Sequence, residues 1–449
     1  MHKSFLPHQR WILTAVILSV VLIPINSTMI AVGLVPIAQG LNVSVTSVIW
    51  VVTAYLVLMA ALQPISGKIG DMYGRRRLLI VGLSTLVVFS ILAALSPYLW
   101  ALLIFRSGQA IGGAIIVPNA MGIIRINFAQ HDLRRALGLV GMIQGMGAAI
   151  GPLLGTTLIG LGGWTAIFWI NVPLSVLALI LAQQKIAKDS PSVARRVDIA
   201  GAATLAGFLV LTCLSVPHPQ GQSAQRWLAT VPAALIVLGL FVWRERHATE
   251  PIIRFPIFLK RPFFSANLAI LLSNFFMYST LLYMPLYLRH QGYGDAVTGL
   301  LLFIFSLSMS LMSWAGSYAQ SIFGSRRIVA LAFAIDLIAI IWYIGLRDVS
   351  ALGYIMAGLV VAGLGCGVGT VSMQSTALEA VAPELAGVSS GIYSTFRYIG
   401  GIMASASIAL MVAHQSLHWA ILGVVTILGL IVTKGLPGSM HGKTTRVAS

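Results

Sequence analysis

Two charged residues fall deep inside long apolar runs of a 449-residue chain that is only 9% charged: Arg106 in "LLIFRSGQAIGGA" and Asp336 in "IVALAFAIDLIAIIWY". Ionisable groups at such depth are costly unless paired or wetted, and they mark functional sites by default. At 1.5 Å per residue, Arg106 lies about 13 Å from the nearer end of its apolar segment. Asp336 lies about 15 Å beyond Arg327, near the middle of a hydrocarbon core about 30 Å thick. Three partners are open to Arg106: Gln109 with backbone carbonyls, an anionic group on a bound solute, or Asp336 across a central cavity. Burial disfavours a charged carboxyl and a nearby guanidinium favours it, so Asp336 would exchange protons if its access to Arg106 or Arg397 changed during a working cycle. A static ion pair between helices is the alternative.

These groups need a scaffold, and composition says which kind. With 58% apolar residues and a mean hydropathy of +0.93, too few polar residues exist to cover a water-soluble globule. A window of about 19 residues finds fourteen apolar segments, from 11–32 to 416–433, each about long enough to cross a hydrocarbon core. The expected fold is an all-α polytopic membrane protein.

Lys and Arg set the orientation, because basic loops stay on the cytoplasmic side. With the N-terminus inside, 23 of the 28 basic residues fall in inner loops and tails. Arg226, Arg289 and Arg347 fall outside, and Arg106 and Arg397 fall within helices. Both termini are then cytoplasmic. The net charge of +17 is read as this topology signal and as contact with anionic lipid headgroups, not as nucleic-acid binding. No cleavable signal peptide is expected, and Cys213 and Cys366 read as packing residues.

Two longer charged stretches, 185–198 and 244–263, bracket a pair of helices. The chain divides into a six-helix bundle (1–189), a two-helix insert with its flanking loops (190–250), a second six-helix bundle (251–434) and a tail (435–449). The loop after the second helix, "GKIGDMYGRRR" (Gly67 to Arg77), has a weak echo after the tenth, where Gly316, Gln320 and Gly324 precede Arg326 and Arg327. Paired six-helix repeats point to a secondary transporter whose substrate site lies between the halves.

Gly67, Asp71 and Gly74 followed by Arg75 and Arg76 resemble the loop signature between helices two and three of the major facilitator superfamily. There Asp71 would accept hydrogen bonds from a neighbouring helix N-terminus, a clasp that breaks when the halves rock apart. "LLIFRSGQAIGGA" resembles the fourth-helix motif, with Arg106 and Gln109 in place and Ala110 where glycine is usual. "GAAIGPLLG", with Gly147, Gly151, Pro152 and Gly155, is similar to the fifth-helix motif of antiporters. "WVVTAYLV" from Trp50, "RVDIAG" from Arg196, "EPIIRFPIFLKRPF" from Glu250 and "STFRYIGG" with Arg397 and Gly400 look like landmarks of the fourteen-helix drug:proton antiporter group. The resemblance implies a major facilitator fold with two inserted helices, exporting small amphipathic compounds in exchange for protons.

One position departs from that group. "INSTMIAVGLVPIA" carries Asn26 where the group has Asp in its first helix, and Asn does not titrate. A coupling role at that position is not carried over, and Asp336 is the substitute expected here. An uncoupled facilitator, or a carrier of an anionic solute held by Arg106, is the alternative. Tyr55, Gln63, Gln109, Asn119, Gln144, Asn274, Tyr278 and Tyr283 are the polar and aromatic candidates to line the cavity. Glu379 and Glu384 read as solvated topology residues or partners of the inner arginines, and His414 and His418 as interfacial. A phosphate loop, metal-ligand spacing and a nucleophile with its base are all missing from the sequence, so no enzyme and no cofactor are expected. The expected partners are a small-molecule substrate, protons and membrane lipid, for a protein acting as a monomer.

Overall fold

The computed structural model describes residues 5–187, 198–215, 223–248, 251, 255–347, 351–381, 386–413 and 415–438. Among these, every regular element is a helix: α1 (Pro7–Gly40), α2 (Val45–Tyr73), α3 (Arg75–Ala94), α4 (Leu99–Asn127), α5 (Gln130–Gly162), α6 (Ala166–Trp169), α7 (Asn171–Lys185), α8 (Ile199–Leu214), α9 (Ser223–His247), α10 (Arg261–His290), α11 (Asp295–Phe323), α12 (Ser325–Ile344), α13 (Leu352–Val368), α14 (Thr370–Glu379), α15 (Ala386–Ala413) and α16 (Gln415–Val432), with short 3-10 turns between some of them. Helices are what an apolar chain must form in lipid, where no water is available to satisfy backbone groups.

Among the described residues, twelve spans are long and apolar enough to cross a membrane. α6 and α7 join into one such span, as do α13 and α14. α8 is a shorter apolar helix and α15 stands outside that set. Several helices exceed the expected segments. α1 has 34 residues and α5 has 33, about 50 Å each at 1.5 Å per residue. Their polar first turns fall below any hydropathy threshold, so the sequence window trimmed them. α9 likewise runs on to His247, where Arg244, Arg246 and His247 fill the last turn and favour the negative end of the helix dipole. Asp189, Glu250, Glu384, His414 and most of the stretch 185–198 lie outside the described residues.

The internal repeat is sharper in the backbone than in the sequence. α2 has 29 residues, then Gly74 at φ +93, then α3 with 20; α11 has 29, then Gly324 at φ +79, then α12 with 20. Both glycines occupy the left-handed region that a side chain disfavours. The preceding turns match as well, with Asn42 at φ +52 and Gly292 at φ +83. All of these positions keep a constant offset of 250 residues. In this register Asp71 corresponds to Ser321 rather than to Gln320, so the sequence alignment of the two loops was one residue out before its final glycine.

Glycines set the closest helix contacts, as expected where lipid supplies no hydrophobic drive and packing must hold helices together. The stripe Gly147, Gly151 and Gly155 of α5 lies against Val21, Ile25, Thr28, Met29 and Val32 of α1. Gly363 and Gly367 of α13 lie against the backbone of α11 at Phe305 and Met309. Between the two sets of helices, α2 packs along α15 and α5 along α11. Thr53 and Ser405 hydroxyls share a 2.9 Å hydrogen bond, Thr395 donates to the Ala60 carbonyl at 3.2 Å, and Ser310 donates to the Gly145 carbonyl at 2.8 Å. α8 rests on α2 and α15, with α9 behind it. Asp198 caps α8 by accepting from the Gly201 N–H at 2.9 Å and pairs with Arg244 of α9 at 3.1 Å.

Candidate functional site

Arg106 is fully buried on α4 and held by three hydrogen bonds, none from an acid. Its Nη1 donates to Asn26 Oδ1 at 2.7 Å and to Gln109 Oε1 at 2.9 Å, and its Nη2 donates to the Asn26 carbonyl at 3.2 Å. Gln109 stands one helical turn away on the same face, the spacing at which side chains on a helix meet. It passes the connection on, donating to Ser90 of α3 at 2.8 Å. Asn171, the first residue of α7, donates to Asn26 Oδ1 at 3.5 Å and to the Ile167 carbonyl at 3.1 Å. The network around this guanidinium thus links α1 and α4 directly, α3 through Gln109 and α7 through Asn171.

The charge of that guanidinium is hydrogen-bonded but not neutralised. Its Cζ sits 4.3 Å above the Tyr55 ring of α2, a cation–π contact. Arg106 Nε, Asn26 Nδ2 and Asn171 Oδ1 find no hydrogen-bond partner. Of the partners open to Arg106 in the sequence, Gln109 and a backbone carbonyl are the ones it takes. Asn26 was singled out only as a group that does not titrate, and its service as an acceptor was missed. An Asn and an Arg on separate apolar helices were the available signal, since each needs a polar partner in such surroundings.

Asp336 does not reach across the molecule. It is 1% exposed on α12 and faces α13, where Gly365 leaves room for its carboxylate and Cys366 Sγ lies 4.0 Å from its Oδ1. Among the described residues it makes no ion pair, so its expected contact with Arg106 or Arg397 is corrected. The physical reason is helix order: α12 packs on α13 and α16 and is screened from α4 by the helices between them.

Arg397 of α15 lies instead beside tyrosines. Its Nη2 donates to the Tyr398 hydroxyl at 3.2 Å, with Cζ 5.0 Å from the Tyr398 ring. The helices meet there at Gly401, where an added Cβ would fall 2.9 Å from Tyr278 and 3.2 Å from Leu56. Two cations and three tyrosines therefore stand where the two sets of helices join.

The remaining candidates divide. Gln63 is buried on α2 with neither amide atom partnered. Asn119 fastens α4 to α2 by donating to Ser66 Oγ at 3.3 Å and to the Ile115 carbonyl of its own helix at 2.7 Å. Asn274 donates to the Ile270 carbonyl at 3.1 Å, and Gln144 is half-buried on α5. Tyr283 points away from the centre: it stacks on His418 at 4.1 Å and 18°, beside Trp419.

His418 is accordingly not interfacial. It is fully buried on α16, and neither ring nitrogen has a hydrogen-bond partner. Aromatic packing decides its place, whereas proximity to a turn suggested the membrane surface. His418→Phe keeps the stack and removes two unpartnered nitrogens. It is expected to leave the protein as stable as wild type or more so, by about 1–2 kcal/mol, read as the thermal midpoint in detergent. A lowered midpoint would mean that the ring nitrogens are hydrogen-bonded.

At the charged loop, Asp71 pairs with Arg75 one turn on rather than with another helix N-terminus. Arg75 lies against Gly122 of α4, and Arg76 donates to the carbonyl of Gln183 at 2.6 Å, at the C-terminal end of α7. The loop thus ties α2 and α3 to α4 and α7. Gly67 faces Pro118 of α4 with ordinary van der Waals spacing.

The Major Facilitator Superfamily description matches residues 16–405 of the chain. The chain is 40% identical over 438 residues to an uncharacterised MFS-type transporter, YvkA, of Bacillus subtilis (strain 168), covering 95% of this chain and 96% of that protein. It is 27% identical over 410 residues to the tetracenomycin C resistance and export protein of Streptomyces glaucescens, covering 90% and 76%. Among solved structures, a D-xylose-proton symporter superimposes with a TM-score of 0.69 over 96% of this chain and 98% of that one, at 14% identity, a likeness of fold.

Proposed function

This chain belongs to the major facilitator superfamily, and we propose that it exports small amphipathic compounds across a bacterial cell membrane by alternating access, in exchange for protons. It is a multi-pass membrane transporter and not an enzyme. The observation that carries the reading is the site of arginines and tyrosines at the seam between two repeated sets of helices, where a site must lie to face each side in turn. The export protein among its relatives supports the direction.

In the proposed topology both termini are cytoplasmic and α8 and α15 complete fourteen spans. The bundles are 1–189 and 251–434, around the insert 190–250, and the transporter acts as a monomer in lipid. The hydrogen bonds between the two sets of helices fall at Thr53 and Ala60 of α2 and at Gly145 of α5. The Arg75 and Arg76 ties keep the basic ends of α2, α3, α4 and α7 together as the halves rock.

With Asn26 neutral, Asp336 is the proposed proton-carrying group. In inside-out vesicles with a respiratory pH gradient, at least one of a panel of lipophilic cations, neutral drugs and anions is expected to dissipate the gradient. Asp336→Asn is expected to reduce that response at least about tenfold, the equivalent of about 1.4 kcal/mol. An unchanged response in Asp336→Asn would remove this residue from coupling. A wild type that moves compounds but no protons would favour the second reading, an uncoupled facilitator, which the seclusion of Asp336 behind α13 supports.

A further inference from the structure

The central site holds cationic groups and no anion. Arg106 is bound only by the neutral oxygens of Asn26 and Gln109, and its Nε remains unpartnered although fully buried. Arg397 donates to the Tyr398 hydroxyl and lies beside its ring. Among the described residues, no acidic side chain pairs with either arginine. Asp71, Asp198 and Asp295 are paired with Arg75, Arg244 and Arg289, and Asp336 is turned toward α13.

Hydrogen bonds to neutral oxygens orient a guanidinium but leave its charge, and a buried charge without a counter-ion is unfavourable in surroundings of low dielectric constant. Arg106 is such a charge, and Arg397, half-buried on α15, lies on the same seam, so an anion entering there is attracted by both. Arginine offers a planar fork matched to carboxylate, sulfonate or phosphate oxygens. Tyr55, Tyr278 and Tyr398 supply flat, half-polar surfaces that suit an aromatic body.

We propose that the compounds carried are amphipathic aromatic anions, with the acidic group held between Arg106 and Arg397 and the ring system against Tyr55, Tyr278 and Tyr398. This rests on the export reading for its direction, but the binding preference is independent of it. Lipophilic cations would be repelled from this position.

Two xanthene dyes of similar shape and opposite charge, fluorescein and rhodamine 123, separate the cases. Fluorescence anisotropy with the purified protein is expected to show fluorescein bound at least tenfold more tightly than rhodamine 123. Arg397→Gln is expected to weaken fluorescein at least tenfold and rhodamine 123 not at all. Arg397→Lys, which keeps the charge but not the planar fork, should bind fluorescein more tightly than Arg397→Gln does and so exclude misfolding as the cause. Equal or tighter binding of rhodamine 123, no binding of fluorescein, or unchanged fluorescein affinity in Arg397→Gln would each overturn the inference. Uptake of the two dyes by inside-out vesicles then tests direction. Fluorescein that binds but never accumulates would defeat the export reading alone, and rhodamine 123 that accumulates while fluorescein does not bind would defeat the anion site alone.

Discussion

Arg106→Ala is expected to reduce transport in vesicles at least about 100-fold. The substitution removes three hydrogen bonds from a charged donor. Such bonds contribute about 1.5–3 kcal/mol each, and about 2.7 kcal/mol already corresponds to a factor of about 100. It also frees Asn26 and Gln109, so that α1 is no longer fastened to α4 and, through Gln109 and Ser90, to α3. Thermal stability should fall much less than activity, because the mutation also deletes an uncompensated buried charge. Arg106→Lys should recover no more than about a tenth of the activity, since one ammonium does not reproduce a planar fork that serves Asn26 and Gln109 together. If Arg106 and Asn26 act as one unit, Asn26→Ala and the double variant should fail to the same degree. Near-normal transport by Arg106→Ala would show that the network is only structural.

The second large effect concerns stability. Gly367→Ala should lower the thermal midpoint by several degrees. An added Cβ at Gly367 runs into the Met309 backbone of α11, and one at Gly363 runs into the Phe305 carbonyl. Backbone offers no rotamer to escape into, so α11 and α13 must separate, and overpacking of this kind costs about 1–3 kcal/mol or more. Gly363→Ala/Gly367→Ala together should yield little folded protein from membranes. Gly423 has nothing within 4 Å of an added Cβ, so Gly423→Ala is the control, with an expected change within about 0.5 kcal/mol. A wild-type midpoint for Gly367→Ala would mean that the helices are less closely packed than the structure has them.

The glycine stripes illustrate how far the residues could be read in advance. Gly147, Gly151, Pro152 and Gly155 were legible because a proline and a four-residue spacing mark one helix face, and that face does pack on α1. Gly363, Gly365 and Gly367 alternate along α13 instead. Gly363 and Gly367 serve α11, and Gly365 serves Asp336 on α12. A spacing rule for a single partner does not register a helix that is approached from two sides.

The sequence by itself determined the class of the protein. Apolar runs with no water to satisfy their backbone can only be helices, and the unequal placement of Lys and Arg gave a topology to propose. Asn26, Arg106 and Arg397 were conspicuous for the same reason, because a polar group in an apolar segment is expensive and must be used. Only the tertiary structure decided which of them meet. Arg106 takes Asn26 from α1, eighty residues away in the chain, while Asp336, the one deep carboxylate among the described residues, is turned into α13. Tyr283 and His418, likewise, pair with each other and not with the central site. Hydropathy reports depth along a helix axis and says nothing about azimuth, the direction in which a side chain points around that axis. Azimuth is fixed by packing against other helices, and it decides whether a buried charge lies in a site between the halves or behind one of them.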